Sequence, residues 1–137
     1  MTELTDLLRP SRDCTCSLLR QATRAVTQHY EASFRGAGIR GTQFTVLSML
    51  AQAGPMPMAR LAVRLGLERT TLTRNLKPLV ARGFVVLSGD ADGRVRRAEI
   101  TAEGETAVRE AFPRWRDAQA TVHQVLSKFP LVLPTQP

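Results

Sequence analysis

Apolar residues recur at helical spacing in five separate runs, and one short stretch switches to the β-branched and aromatic pattern of a strand. Leu18, Leu19, Ala22, Val26 and Tyr30 trace a first long helix, with Asp13 as its predicted N-cap and Gly36 and Gly38 ending the run. Thr42 is the predicted cap of a second helix, whose Phe44, Val46, Leu47, Leu50 and Ala51 lead up to Gly54 and Pro55. Met58 to Leu65 predicts a shorter third helix that Gly66 stops. Glu68 opens a fourth that reaches the neighbourhood of Arg82, where Gly83 suits a left-handed C-cap. Phe84, Val85, Val86 and Leu87 then read as a strand, Gly89 to Gly93 as a turn, and Val95 to Ile100 as the return strand of a hairpin. Thr101 begins a last long helix with Glu103 and Glu105 at the positive end of its dipole. Phe129, Pro130 and Pro134 close it, and residues 130–137 read as a short irregular tail.

This order predicts a mainly α fold with one small β-hairpin, and 137 residues are one domain's worth of chain. With 43% hydrophobic and 23% charged residues the composition is that of an ordinary globular protein, which excludes disordered and low-complexity classes. No apolar run approaches the roughly 18 residues of a membrane span, and the first residues lack a basic region followed by an apolar core. A soluble, cytoplasmic chain without a membrane partner is therefore expected. Cys14 and Cys16, the two cysteines, are too few and too close together to staple a secreted fold.

The net charge of +7 is unevenly placed. Residues 1–54 carry +2, residues 55–97 carry +6, and residues 98–137 carry −1. The middle segment holds Arg60, Arg64, Arg69, Arg74, Lys77, Arg82, Arg94, Arg96 and Arg97, a concentration suited to neutralising phosphates. Within it, Leu65, Gly66, Leu67 and Glu68 carry the chain from one short helix into another, the connection a helix-turn-helix needs. At roughly 100° per residue, Leu72, Leu76, Leu79 and Val80 share one face of the second of these helices. Thr70, Thr71, Arg74 and Lys77 lie toward the other. Arg can bond guanine bidentately, Thr can touch a thymine methyl or hydrogen-bond, and Lys can neutralise a phosphate, so this face fits a DNA major groove. An amphipathic surface helix has the same polar side, and the position directly after the turn favours the DNA reading. Pro78 predicts a bend near Arg74 to Pro78. Asp92-Gly93 is a type I′ turn signal, and Arg94 follows at the hairpin tip.

Taken together, Gly41-Thr42-Gln43-Phe44, Leu61-Ala62-Val63-Arg64-Leu65, Arg69-Thr70-Thr71-Leu72-Thr73-Arg74-Asn75-Leu76, Asp92-Gly93-Arg94 and Ile100-Thr101-Ala102-Glu103-Gly104 resemble, in order and spacing, a MarR-type transcriptional regulator. The resemblance runs along nearly the whole chain. It implies a winged helix-turn-helix over residues 42–100, flanked by dimerisation helices at 13–37 and 101–129, that binds double-stranded DNA as a homodimer on a pseudo-palindromic operator. Repression relieved by a small-molecule effector is the expected mode. Arg69, Thr70, Thr71, Thr73, Arg74 and Lys77 of the recognition helix are the expected DNA contacts, with Asp92, Arg94 and Arg96 of the wing. The resemblance also implies that Arg94 enters the minor groove, its guanidinium fixed by Asp92 or Asp90; the alternative is an ordinary solvated strand residue. Family wings often carry a further Arg where this chain has Ser88-Gly89, and Arg96 and Arg97 are candidates to supply that charge.

The effector pocket implied by the resemblance lies between the dimer interface and the winged unit, with Tyr30, Phe44 and Trp115 as candidates; core packing explains these aromatics equally well. Family members usually add a further helix after the long one. Pro130 and Pro134 leave no room for it here, so the expected dimer rests on the first helix and on Phe112, Trp115, Val122, Val125 and Leu126. Cys14 and Cys16 stand at the start of the first helix, where backbone N–H groups favour a thiolate. A thiol- or metal-responsive sensor, with cross-subunit disulfides or a site shared with His29 or His123, is therefore an alternative to a small-molecule effector, and small interface hydrophobes are the plainer reading. No nucleophile with its base, metal cluster, phosphate loop or dinucleotide fingerprint is visible, so neither an enzyme nor a cofactor is expected. The rival of another class is a basic module that binds acidic protein or an anionic membrane.

Overall fold

The computed structural model describes residues 2–89 and 96–126. A short helix α1 (Thr2–Leu7) and a 3₁₀ turn (Arg9–Asp13) precede α2 (Thr15–Ser33), α3 (Gly41–Ala53), β1 (Met56–Pro57), α4 (Met58–Leu65), α5 (Arg69–Ala81), β2 (Val85–Gly89), β3 (Arg96–Ile100) and α6 (Ala102–Leu126). The fold is mainly α with a small antiparallel sheet of order β1-β3-β2. Asp90, Asp92, Arg94, the Asp92-Gly93 turn and the tail at Pro130 and Pro134 lie outside the described residues.

The winged unit is built around leucines. Leu47 and Leu50 of α3, Leu61 of α4, and Leu72, Leu76 and Leu79 of α5 are each no more than 1% exposed, and Val85 of β2 joins them. At α4, Gly66 takes the left-handed conformation (φ 63°), and the amides of Gly66 and Leu67 return to the carbonyls of Val63 and Ala62. This 6→1 closure lets the chain turn sharply into α5 while satisfying the carbonyls at the helix end. The same closure ends α5, where Phe84 N–H donates to Leu79 O at 2.9 Å. Helix α5 continues from Arg69 to Ala81 through Pro78.

β2 and β3 pair in register from Val85 opposite Ile100 to Gly89 opposite Arg96. The third strand, β1, was not expected. It is two residues long, and it pairs Met56 with Ala98 and Pro57 with Arg97. A proline and a two-residue length give no periodicity to read. Past the sheet, Thr101 Oγ1 donates to Gly83 O and accepts from Gly104 N–H at 3.1 Å, capping α6. Gly104 passes so near the α5–β2 corner that a Cβ there would collide with the Phe84 carbonyl oxygen and lie 2.8 Å from Ile100 Cγ1.

Two predicted caps move. Asp13 ends the 3₁₀ turn and Cys14 is the N-cap of α2. Helix α3 starts at Gly41 with Arg40 as its N-cap, and the Thr42 amide donates to Glu31 Oε1 of α2 at 3.0 Å. A carboxylate from the preceding helix thus takes the role that sequence assigns to a local hydroxyl. Phe84, expected in the strand, is the residue that closes α5, and β2 begins at Val85.

Candidate nucleic-acid interface

Because α5 buries Leu72, Leu76 and Leu79, its remaining faces are left to solvent. Arg69, Thr70, Thr73, Arg74 and Lys77 are exposed and Thr71 is half-buried. The helix divides its polar groups between two flanks. Arg69, Thr73 and Lys77 face the hairpin, where with Arg96, Leu76, Val80 and Leu87 they line a cleft of about 410 Å³. Thr70, Thr71 and Arg74 lie on the flank away from that cleft. Three cations meet in the cleft, and among the described residues no acid lines it. Among the described residues the side chains of Arg69, Arg74, Lys77 and Arg96 have no ion-pair or hydrogen-bond partner. Unpaired cations converging on one groove set up a positive potential that a polyanion relieves. The Thr73 hydroxyl donates to Arg69 O at 2.9 Å, so its own proton is already committed.

Other cations of the basic segment are structural. Arg82 donates to Gly38 O at 2.5 Å and lies 4.4 Å over the Phe84 ring. Arg97 donates to Pro55 O at 3.1 Å. Arg60 and Arg64, by contrast, stay exposed on α4 beside an exposed Val63. Their i, i+4 spacing, away from buried Leu61 and Ala62, marks a second cationic edge.

Known proteins share this fold. Residues 37–95 match the family model described as the MarR family. The DNA complex of the M. tuberculosis transcriptional regulator MosR is 37% identical, with a TM-score of 0.71, covering 90% of this chain and 86% of that one. The HTH-type transcriptional regulator MhqR of Bacillus subtilis is 24% identical over 111 residues, 80% of this chain and 74% of its own. BpsR of Bordetella bronchiseptica, in a structure described as showing how 6-hydroxynicotinic acid regulates its DNA binding, shares the fold at 20% identity with a TM-score of 0.69, over 86% of this chain and 81% of that one. The chain belongs to the MarR family. It is a DNA-binding transcriptional regulator of the winged helix-turn-helix class.

In this MarR-family chain the three aromatics singled out from sequence are brought near one another but do not share one cavity. Phe44, 4% exposed, is core, stacked 6.1 Å from Trp115 and packed 5.2 Å from Phe34. Trp115 separates two clefts. One, of about 310 Å³, is lined by Tyr30, Glu31, Thr42 and Thr45. The other, of about 540 Å³, is lined by Phe44, Ser48, Met49, Val108 and Phe112. Tyr30 donates its hydroxyl to Gln119 Oε1, and burial pushes its phenol above the ordinary range, so it stays a donor. Ser48 Oγ is buried in the wall of the larger cleft without a partner among the described residues, a polar point that sequence reasoning missed.

Cys14 and Cys16 are free and exposed, and Arg20 Nη2 lies 3.7 Å from Cys16 Sγ. His29 Nε2 is buried and has no partner among the described residues. His123 is exposed on α6. No group of three His, Cys, Asp or Glu able to hold a metal occurs among the described residues. None of their helices is long and apolar enough to cross a membrane.

Proposed function

We propose that this regulator acts in the cytoplasm as a homodimeric repressor of a pseudo-palindromic operator and is released by a small effector. The cleft that gathers Arg69, Lys77 and Arg96, with no acid among its described lining residues, carries the reading. On this reading Arg74, Thr70 and Thr71, outside the cleft, read base edges in the major groove, Arg69, Lys77 and Arg96 hold phosphates, and Arg94, its guanidinium fixed by Asp92 or Asp90, enters the minor groove. Helices α1, α2 and α6 supply the two-fold interface, because Leu4, Leu7, Leu18, Leu19, Val125 and Leu126 are exposed apolar residues on them. The effector occupies the clefts either side of Trp115, where Tyr30 and Ser48 offer polar points and Phe44, Met49, Val108 and Phe112 make the larger cleft mainly apolar. BpsR, with its 6-hydroxynicotinic acid, lends support from the same fold.

Selection of duplexes from a random pool, followed by footprinting, tests the reading. A two-fold symmetric sequence with protected half-sites about one helical turn apart is expected. Uniform, sequence-independent binding would overturn it in favour of a basic module.

A second reading rests on Cys16. Its thiol is exposed to solvent 3.7 Å from the Arg20 guanidinium, within reach of a small oxidant. Mild oxidant should then release DNA from the wild type and not from a Cys14→Ser, Cys16→Ser double variant. Equal release from both leaves the small-molecule effector as the signal.

A further inference from the structure

Arg96 and Arg97 are adjacent cations on one strand with opposite surroundings. Side chains alternate along β3, so Arg96 shares the face of buried Ala98, toward α5, and Arg97 takes the other face. Arg96 lines the cation-rich cleft. Arg97 Nη2 donates instead to the carbonyl of Pro55, at 3.1 Å. Pro55 immediately precedes β1, whose ladder with β3 is only Met56 opposite Ala98 and Pro57 opposite Arg97. Pairs in an antiparallel ladder alternate, so Met56 opposite Ala98 is the hydrogen-bonded pair and Pro57, which has no N–H, stands at the non-hydrogen-bonded one. The Arg97 side chain adds a bond between the same two segments, just before a backbone ladder of only two residue pairs. Helix α4, the first of the helix-turn-helix, starts at the next residue, Met58.

We infer that Arg97 is a positioning residue for the wing: it fastens the inner strand of the hairpin to the segment entering the helix-turn-helix, and does not itself neutralise a phosphate. The inference rests on the DNA-binding reading above for its effect on affinity, and on the fold alone for its effect on the strand pair. One neutral hydrogen-bond acceptor at an exposed site limits the expected loss on DNA to about tenfold or less.

The test compares wild type, Arg97→Met, Arg97→Gln and Arg96→Met on the duplex selected by the wild type, across a range of salt, after thermal melts have confirmed that each is folded. Positioning predicts that Arg97→Met weakens binding with an unchanged slope of log Kd against log salt. Arg97→Gln, which keeps an N–H donor and loses the charge, recovers most of the affinity. Arg96→Met flattens the slope by about 0.9, the signature of one lost phosphate contact. If Arg97→Met flattens the slope by that amount and Arg97→Gln does no better, Arg97 is a phosphate ligand and the inference is wrong. Amide exchange on the free protein gives a readout that needs no DNA: Arg97→Met should speed exchange at Met56 and Met58, and Arg97→Gln should restore it. Unchanged exchange overturns the positioning role even if DNA binding falls. A wild type that selects no sequence, with exchange behaving as expected, strikes the operator reading and leaves the role of Arg97 standing.

Discussion

The winged unit and the helices that flank it bury their apolar residues to very different degrees. In α3, α4 and α5 leucines are sealed against one another, whereas α2, at 19 residues, has no fully buried residue at all. The 25-residue α6 buries only small or slender groups, Gly104, Ala111, Ala118 and Val122. Meanwhile Leu18 and Leu19 of α2 stand 51% and 43% exposed, and Phe112 of α6 stands 46% exposed. One region completes its own core; the other has apolar surface in need of a cover. The contrast separates what holds the DNA-reading helix in shape from what would bring two copies together.

The strongest way to break that contrast is to damage the self-sufficient half. Leu72→Ala and Leu79→Ala each remove a side chain that is 0% exposed and should cost about 2 to 5 kcal/mol. Denaturant titration followed by circular dichroism measures this. A loss below about 1 kcal/mol would mean the α5 packing is looser than its burial indicates.

Next comes the exposed half. Leu18→Glu with Leu19→Glu places two charges on the face proposed to meet the partner. It should weaken the dimer at least about a hundredfold, close to 3 kcal/mol, while leaving monomer stability nearly unchanged. Sedimentation over nanomolar to micromolar protein reads the first and a denaturant titration of the monomer the second. A variant that remains as dimeric as wild type moves the interface off α2. The wild-type dimer itself is expected to dissociate near micromolar protein, with DNA binding falling in step by mass action.

The same contrast governs what the sequence discloses. Helices α3, α4 and α5 were legible because glycines at 54, 66 and 83 punctuate dense leucine periodicity, and local signals there agree with the packing. The caps at Asp13 and Thr42 failed because the winning partners are tertiary or depend on an unforeseen 3₁₀ turn. β1 exists only through its pairing with β3. At the candidate site, spacing alone found Arg69, Arg74 and Lys77 on α5. It did not sort Arg96, in the cleft, from Arg97, bonded to Pro55, nor show that Arg82 is spent on Gly38. Phe44 looked like a pocket wall and is largely core, since an aromatic on a helix face carries no mark of which it will be.

Within the winged unit the comparison sharpens to the two flanks of α5. Arg74 lies on the flank away from the cleft, so Arg74→Ala should cost about 1 to 3 kcal/mol on the best selected sequence and relax preference at one position per half-site. Equal loss on every sequence would reassign Arg74 to a phosphate.

Lys77 makes the smallest and most diagnostic change. It shares the cleft with Arg69 and Arg96, so removing it leaves two cations to hold the same stretch of backbone, and no buried polar group is stranded because Lys77 is exposed. Lys77→Ala should therefore weaken selected and unselected duplexes alike, by about 1 kcal/mol at moderate salt. The slope of log Kd against log salt should become shallower by about 0.9. Sequence preference, measured by competition between the selected duplex and a scrambled one, should not change. If Lys77→Ala lowers the preference while the slope holds, the cleft flank of α5 reads bases too, and the division between a reading flank and a phosphate flank does not survive.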